Sequence, residues 1–248
     1  MLNSGLLADI INGGNTTAFW LGVIGSIIAA YLLGSINTSI LISRLVYGSD
    51  VRTHGSGNGG LTNMHRTFGL KAAGLTLLGD MLKTVIAVIT PMVLFGFEYQ
   101  AVLCINPIAY ITGLAAVIGH VYPIYYGFKG GKGVLVTATM ALVVSPLIFL
   151  VLFLAFVGIV YFSKYISLGS VSVAVLYPVC VNVYSITFLK APPFWTTLLA
   201  TILLAIFIFW LHRGNLKRIG ERTERKFSFK RKPEVEKPIA KVEDDDEE

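Results

Sequence analysis

The chain alternates between long apolar runs and short polar interruptions. The runs that lack charged residues, or nearly lack them, cover residues 19–43, 70–96, 101–121, 134–163, 168–189 and 193–211. About 20 apolar residues suffice for a helix to cross the hydrocarbon core of a membrane. The pattern therefore predicts an all-α integral membrane protein with at least six spanning helices.

The fourth run is 30 residues long and contains Ser145-Pro146 in its middle. Proline starts helices readily but disfavours their continuation from upstream, so this run is either one kinked span or two short ones. Separate crossings at 131–145 and 146–163 give seven spans. Seven spans place nearly every basic cluster on one face of the membrane and leave Lys190 opposite. Because basic loops favour the cytoplasm, we expect seven transmembrane helices, with the N-terminus outside and the C-terminus cytoplasmic.

Composition supports a membrane protein with a polar tail. Hydrophobic residues make up 54% of the 248 residues and charged residues 14%, well below the quarter typical of soluble domains. Residues 213–248 hold 11 of the 20 Lys and Arg and 10 of the 14 Asp and Glu. We expect a transmembrane domain over 1–225 and a disordered charged cytoplasmic tail over 226–248. The net charge of +6 fits the positive-inside bias, so nucleic-acid binding is disfavoured.

Three polar islands interrupt the apolar chain. Island 1 covers residues 54–66 (HGSGNGGLTNMHR), island 2 covers 119–133 (GHVYPIYYGFKGGKG) and island 3 covers 212–218 (HRGNLKR). All three fall on the cytoplasmic side of the seven-span arrangement. Their shared side predicts that they converge on one site.

Glycines beside basic residues point to anion binding in islands 1 and 2. Such stretches can turn several backbone N–H groups toward one point and hold a phosphate there. Arg66 could bind a phosphate through two parallel hydrogen bonds, whereas Lys132 would act as a point charge. The alternative is that the glycines only form tight turns and the cations only anchor at lipid headgroups.

Several other kinds of site are disfavoured. Gly55, Gly57 and Gly60 fit the dinucleotide pattern, but a membrane helix precedes them rather than a strand. Island 2 is not a Walker A sequence, because Tyr126 occupies the position of the first glycine. Residues 1–212 have only four acidic residues and no His-x4-Asp arrangement, and Cys104 and Cys180 stand alone. No metal site, cofactor or disulfide is therefore expected.

Three polar residues lie inside predicted helices. Asp80 and Lys83 are three residues apart and share a helical face, where they form either a structural ion pair or a device that directs Lys83 toward the site. His120 either closes the third span structurally or belongs to the site.

Taken together, the three islands resemble motifs of the bacterial acyl-phosphate:glycerol-3-phosphate acyltransferases, which are integral membrane enzymes. The family's first motif reads GSGN, one residue, GATN, two residues, Arg, and residues 55–66 match it except that Leu61 replaces Ala. Island 2 matches the second motif almost throughout. The third motif appears at 211–218 as LHRGNLKR, with Leu211 replacing Arg and with Glu224 and Lys226-Phe227 beyond it. Asp80 and Lys83 match a recurrent D-x-x-K, and the family's seven-helix topology agrees with the charge argument.

The resemblance implies transfer of a fatty acyl group from acyl-phosphate to the 1-hydroxyl of glycerol 3-phosphate. The products are 1-acylglycerol 3-phosphate and phosphate, in the first step of phospholipid synthesis at the bacterial cell membrane. By motif position, the implied catalytic residues are Ser56, Arg66, Lys132, His212 and Asn215. The implied substrate-binding residues are Gly55, Gly57, Asn58, Thr62, Asn63, Lys83, His120, Lys129, Gly130, Gly131 and Gly133.

The expected partners are the two phosphorylated substrates and membrane lipid, without nucleic acid or an obligate protein partner. We expect catalysis by positioning and electrostatics, because no base is readable beside Ser56 to make it a nucleophile. The main rival is a phosphate or organophosphate transporter, although no repeated halves are evident. A structural membrane scaffold is a third possibility, but it gives no reason for Arg66 and Lys132 among the glycines.

Overall fold

The computed structural model describes residues 16–95, 106–193, 195–228 and 234–235, and these residues form helices without any strand. The predicted all-α class is thereby confirmed for that part of the chain. Its α-helices are α1 (Thr16–Ser35), α2 (Thr38–Tyr47), α3 (Leu61–Leu94), α4 (Pro107–Val121), α5 (Val134–Val144), α6 (Pro146–Ser163), α7 (Ile166–Phe188) and α8 (Trp195–Gly220). Two short 3-10 helices, Val51–Thr53 and Ile124–Tyr126, lie in the connections.

Six helical stretches in the described part are long and apolar enough to cross a membrane. They correspond to α1 with α2, and to α3, α4, α6, α7 and α8. The 134–163 run forms two helices, because Ser145 accepts a hydrogen bond from the Ile148 N–H and Pro146 occupies the first turn of α6. Helix α5 has only 11 residues, so its crossing and the count of seven remain predictions.

The first apolar run contains a break that its sequence pattern does not predict. Helix α1 ends at Ser35 and α2 begins at Thr38. Asn37 caps α2 by accepting the Ile40 N–H, at 3.2 Å. Helix α3 also begins before its apolar run, at Leu61, and turns at Gly69, whose φ of 85° suits a glycine. These two irregularities direct polar backbone toward one end of the bundle.

Helix α4 forms the centre of the bundle and packs against α1, α3, α5 and α8. Ala109, Tyr110, Ala116 and Val117 on it are fully buried. A Cβ at Gly34 of α1 would collide with the backbone of Ala116, so this glycine permits close approach of the two helices. Helix α6, in contrast, exposes many large apolar side chains, as a lipid-facing helix does.

The three islands lie at the same end of the bundle, where the turn between α6 and α7 also lies. The described tail residues contact this end. The Phe227 N–H donates to the Lys164 carbonyl at 2.8 Å, and the Glu234 N–H donates to the Arg66 carbonyl at 3.1 Å. Most of the predicted disordered tail, residues 1–15 and Cys104 lie outside the described residues.

Candidate active site

Islands 1 and 2 are joined through their backbones. The Gly59 N–H donates to the Gly130 carbonyl at 3.1 Å. Asn37 reinforces the contact from the break between α1 and α2, because its side-chain amide donates to the Gly59 carbonyl at 3.1 Å and to the His120 carbonyl at 3.5 Å. Asn37 is fully buried. The predicted convergence of the two glycine-rich islands is therefore present.

Islands 2 and 3 are joined through side chains. The Lys132 ammonium donates to the side-chain oxygen of Asn215. The amide nitrogen of Asn215 in turn donates to Glu224 at 2.6 Å. Glu224 also accepts from Arg218 at 2.7 Å and from Ser167 at 3.2 Å. A chain of hydrogen bonds thus runs from island 2 to the segment that follows α8.

Charge is concentrated around Lys132. Burial lowers the pKa of Lys132 to about 8, with nearby Glu224 opposing the shift and with Arg218 and Arg66 adding to it. Burial also opposes ionisation of Glu224, but hydrogen bonds from Asn215 and Arg218 hold the pKa of its carboxyl below the usual range. The influence of Arg66 on Lys132 brings island 1 into the same cationic cluster. Residues of all three islands therefore meet at one place.

Most backbone N–H groups of the glycine-rich stretches donate hydrogen bonds to carbonyls of the protein. Those of Gly57 and Gly60 donate to carbonyls within island 1, and those of Gly130 and Gly131 donate to Val121 and His120. The predicted phosphate nest is therefore not made of the glycine N–H groups as a whole. Within the described chain, no protein acceptor is found for the N–H groups of Asn58, Lys132 and Gly133, which remain as candidate anion ligands.

Island 1 is stabilised from inside by Asn63. Its amide nitrogen donates to the carbonyls of Val51 and His54, at 2.9 and 3.0 Å, and its oxygen accepts the Ser56 N–H at 2.9 Å. Gly55 adopts a φ of 57°, and a Cβ there would collide with the Asn63 oxygen. This arrangement leaves Ser56 exposed on the outer side of the loop. Asn63 thus shapes the loop that carries Ser56.

Asp80, Lys83 and His120 form a buried cluster behind the junction of the islands. The Lys83 ammonium lies 2.7 Å from an Asp80 carboxylate oxygen and donates to the carbonyls of Gly34 and Ile36, at 3.0 and 2.7 Å. It also lies 3.1 Å from Nδ1 of His120. The ammonium protons are therefore donated within the protein, in part to carbonyls that have no helical partner because α1 ends there. This geometry favours the structural alternative for the ion pair.

His120, itself in island 2, reaches from this cluster to Gly131 in the loop of the same island. A Cβ at Gly131 would collide with His120 Nε2 and would lie 2.7 Å from the Gly59 carbonyl oxygen. Gly131 is therefore a glycine because His120 and island 1 occupy the space of a side chain. His120 packs against Gly131 and so supports the loop that leads to Lys132.

His212 is held in one tautomer near Lys132. Its Nδ1 lies 2.8 Å from the Ile208 carbonyl oxygen. Because a carbonyl can only accept, Nδ1 carries the proton, and Nε2 of the neutral ring remains as an acceptor. Lys132 and Glu224 are close enough to His212 to interact with it electrostatically. His212 is buried.

The other predicted site residues lie at the edges of this region. Thr62 is in the first turn of α3, and Gly133 immediately precedes α5 with a φ of 74°. Asn58 is half-buried beside Gly59, and the Lys129 side chain is exposed. The structure adds Asn37, Asp50, Arg52, Ser167 and Glu224, which sequence reasoning did not assign to the site. A lone Asn in an apolar run was the available signal for Asn37, and the third-motif Glu was the signal for Glu224.

Comparison with known proteins identifies the family. Residues 24–222 match the family model described as glycerol-3-phosphate acyltransferase. The chain belongs to this family. The glycerol-3-phosphate acyltransferase of Geobacillus kaustophilus (strain HTA426) is 41% identical over 203 residues, which are 82% of this chain and 95% of that protein. The glycerol-3-phosphate acyltransferase of Bacillus subtilis (strain 168) is 36% identical, with 82% and 96% covered.

Two crystal structures of acyltransferase family members share the fold. Both are of PlsY (YgiH), described as an integral membrane glycerol 3-phosphate acyltransferase. The glycerol 3-phosphate form has a TM-score of 0.71 and 34% identity, covering 83% of this chain and 96% of the other. The lysophosphatidic acid form has a TM-score of 0.70 and 32% identity, covering 84% and 97%. The family resemblance and the acyltransferase class predicted from the three islands are confirmed.

Proposed function

We propose that this chain transfers a fatty acyl group from acyl-phosphate to the sn-1 hydroxyl of glycerol 3-phosphate, releasing 1-acylglycerol 3-phosphate and inorganic phosphate. The observation that carries the proposal is the joining of the three islands: Lys132 hydrogen-bonds Asn215 of island 3, and its loop accepts the Gly59 N–H of island 1. Arg66 is close enough to act on the charge of Lys132. Both substrates carry a phosphate group. Two cations, each with backbone N–H donors nearby, can bind these two phosphate groups.

Two helix N-termini also favour the binding of phosphate at this site. Helices α3 and α5 follow the glycine-rich stretches directly, and neither has a side-chain cap at its N-terminus. Helices α2, α4 and α6 are capped by the side chains of Asn37, Asn106 and Ser145, whereas α7 also lacks a side-chain cap but follows no glycine-rich stretch. Uncapped N–H groups and the positive end of the helix dipole favour a bound anion. Arg66 then binds the phosphate at the N-terminus of α3, and Lys132 binds the phosphate at the N-terminus of α5.

The reaction needs no covalent enzyme intermediate. Acyl-phosphate is a mixed anhydride, and the cations with the N–H groups of Lys132 and Gly133 stabilise the charge on the departing phosphate and the oxyanion. Nε2 of His212 accepts a hydrogen bond from a substrate hydroxyl, and Asn215 orients the Lys132 ammonium. Among the described residues, no histidine or carboxylate is hydrogen-bonded to the Ser56 hydroxyl. Ser56 therefore acts in binding rather than as a nucleophile.

The remaining predicted substrate-binding residues act around this centre. Asn58 and Lys129 contact the polar substrates at the rim. Thr62 lies at the N-terminus of α3, and Asn63 shapes island 1 with Gly55 and Gly57. Gly130 and Gly131 place Lys132, while Lys83 and His120 support the loops from within the membrane.

Helix α5 forms the fourth of seven crossings. It begins at Val134, just after Lys132 and Gly133, and α6 ends at Ser163, next to Lys164, whose carbonyl accepts from Phe227 at the same end of the bundle. The α5–α6 pair must therefore leave this end and return to it. Eleven residues span only about 16 Å, against a hydrocarbon core of about 30 Å, so α5 alone covers only part of this crossing.

The site faces the cytoplasm in this proposal. Basic residues gather at the site end, namely Arg44, Arg52, Arg66, Lys71, Lys129, Lys132, Lys164, Arg213, Lys217 and Arg218, whereas Lys190 lies at the opposite end. This asymmetry supports a cytoplasmic site end and an external N-terminus in the bacterial cell membrane. Residues 1–225 form the acyltransferase body, and residues 226–248 form a charged cytoplasmic tail.

The test is turnover by the purified full chain in detergent, without vesicles. Palmitoyl-phosphate and glycerol 3-phosphate together should release phosphate and form 1-acylglycerol 3-phosphate, detected by mass spectrometry, while either substrate alone should not. A parallel arm with palmitoyl-CoA compares the donors. Glycerol 3-phosphate uptake into proteoliposomes without any acylated product would support a transporter instead.

A further inference from the structure

Arg52 lies outside the three islands and links the segment just before island 1 to island 2. It belongs to the short 3-10 helix Val51–Thr53, just before island 1. Its Nη1 donates to the carbonyl of Tyr126 at 2.8 Å and to the carbonyl of Lys129 at 2.7 Å. These two carbonyls belong to island 2, more than 70 residues away in sequence. One side-chain nitrogen therefore holds two points of the second island.

The segment between those two carbonyls is conformationally demanding. Gly127 and Phe128 both adopt positive φ, at 66° and 57°. A positive φ is unfavourable for a residue such as phenylalanine, so this turn needs support from its surroundings. Arg52 supplies that support by bridging the residues on either side. The chain then continues through Gly130 and Gly131 to Lys132.

Asp50 anchors the Arg52 guanidinium. Arg52 Nε lies 3.0 and 3.2 Å from the two carboxylate oxygens of Asp50, and Nη2 lies 2.8 Å from one of them. Arg44 donates to the same carboxylate at 2.8 Å. A hydrogen bond from Arg52 holds the pKa of the Asp50 carboxyl well below its usual range, although burial opposes this, so the anchor stays ionised. The planar fork has several fixed donors, and a lysine ammonium cannot reproduce their geometry.

We propose that Arg52 is a positioning residue of the acyltransferase site, which fixes Lys132 relative to Arg66 by clamping the Tyr126 and Lys129 carbonyls to the Asp50 anchor. Arg52 acts through the backbone of island 2 rather than on a substrate. The proposal rests on the proposed function, in which Lys132 and Arg66 each bind a phosphate. The contact between the Arg52 segment and island 2 therefore affects the rate of acyl transfer.

Arg44 offers a matched control for this role. It shares the Asp50 carboxylate with Arg52 and lies over the Tyr126 ring, 5.7 Å from its centroid. Its side chain is half exposed, whereas that of Arg52 is only 19% exposed. The hydrogen bonds found for Arg44 in the described chain go to Asp50 and not to the carbonyls of island 2. Arg44→Lys therefore makes the same chemical change beside the same acid without opening the clamp.

The experiment compares wild type, Arg52→Lys and Arg44→Lys as purified full chains in detergent. Phosphate release is measured across pH, together with the Tm of each protein. Arg52→Lys should lower kcat/KM about 10- to 100-fold, the loss expected from displacing a catalytic group by about 1 Å. Arg44→Lys should stay within about twofold of wild type.

The pH profile of kcat/KM distinguishes a displaced Lys132 from a smaller fraction of folded protein. Lys132 is faced by Arg66, Arg218, Glu224 and His212. A displaced Lys132 leaves its buried place beside the arginines, so the alkaline fall of kcat/KM should move to higher pH in Arg52→Lys. A variant that is merely less folded would lose rate with that fall unmoved, and this result would overturn the proposal.

A second variant keeps the proposal testable if Arg52→Lys does not fold. Asp50→Asn retains the guanidinium but removes its ionised anchor, and it should show the same displacement of the alkaline fall with a smaller loss of rate. Wild-type kinetics in Arg52→Lys, or in Asp50→Asn where that variant is used, would overturn the positioning role alone. Absence of turnover in the wild-type protein would instead overturn the proposed function.

Discussion

The ammonium of Lys132 donates a hydrogen bond to the side-chain oxygen of Asn215, 83 residues later in the chain. This contact joins the loop before α5 to the end of α8. Asn215 is itself held by Glu224, which Arg218 and Ser167 also contact. The position and charge of Lys132 thus depend on side chains from three separate segments.

The pH dependence of turnover should report Lys132. Because burial lowers its pKa to about 8, the ammonium loses its proton as pH rises through that value, well before an ordinary lysine would. We expect kcat/KM for glycerol 3-phosphate to fall above pH about 8, since this ratio reports ionisations of the free enzyme. Lys132→Arg should move the fall to higher pH, because a guanidinium stays charged. A fall at the same pH in Lys132→Arg would assign it to another group.

Glu224→Gln should change the same pH profile in the opposite direction. The carboxylate of Glu224 supports the charged form of Lys132, so its removal favours the neutral amine. The alkaline fall of kcat/KM should therefore move to lower pH than in wild type. Glu221→Gln serves as the control, because Glu221 is an exposed residue that pairs only loosely with Lys217, at 3.8 Å. Coincident profiles for Glu224→Gln and wild type would exclude an electrostatic role of Glu224.

The buried pair of Asp80 and Lys83 should govern stability. Removing one partner leaves an uncompensated charge, at a cost of about 3–5 kcal/mol in buried pairs. We expect Asp80→Asn and Lys83→Met each to lower the Tm in detergent, and the double variant to lose less than the two single losses added together. If Lys83→Met raised KM for glycerol 3-phosphate at an unchanged Tm, direct substrate binding by Lys83 would be supported instead.

Gly131 should not tolerate a side chain. A Cβ there would collide with His120 Nε2 and crowd the Gly59 carbonyl, so Gly131→Ala must push islands 1 and 2 apart. We expect kcat/KM for phosphate release to fall at least about tenfold, as the displacement of Lys132 requires. Gly158→Ala is the matched control, because a Cβ on that α6 glycine has open space around it. Equal rates for the two variants would show that the close packing of the two islands at Gly131 does not affect catalysis.

Much of this arrangement could be predicted from the sequence. Apolar run lengths gave the helices, because a membrane helix needs an unbroken apolar segment. Glycines and cations marked islands 1 and 2, since polar residues inside such a chain are costly without a purpose. Ser145-Pro146 marked the division between α5 and α6. These signals are local, and each is readable within a few residues.

The contacts that hold the islands together were not predictable in this way. Asn37 looks like an isolated polar residue in an apolar run, and its role depends on partners 22 and 83 residues away. Arg52 and Asp50 look like ordinary interfacial charges, because only the fold brings the carbonyls of Tyr126 and Lys129 to Arg52. The sequence also does not show which of the glycine N–H groups donate to carbonyls of the protein, because those acceptors are set by the folded loops.

The decisive measurement is glycerol 3-phosphate-dependent phosphate release from acyl-phosphate by purified Arg66→Ala and Lys132→Met, each beside the matched variant Lys71→Met. Lys71 is an exposed cation on α3 outside the cluster. Each cluster variant should fold with a near-wild-type Tm and lose at least about 100-fold in kcat/KM, as loss of a preorganised donor to developing charge does. Lys71→Met should stay near the wild-type rate. Wild-type turnover in both cluster variants would show that the meeting of the islands does not form the acyl-transfer site.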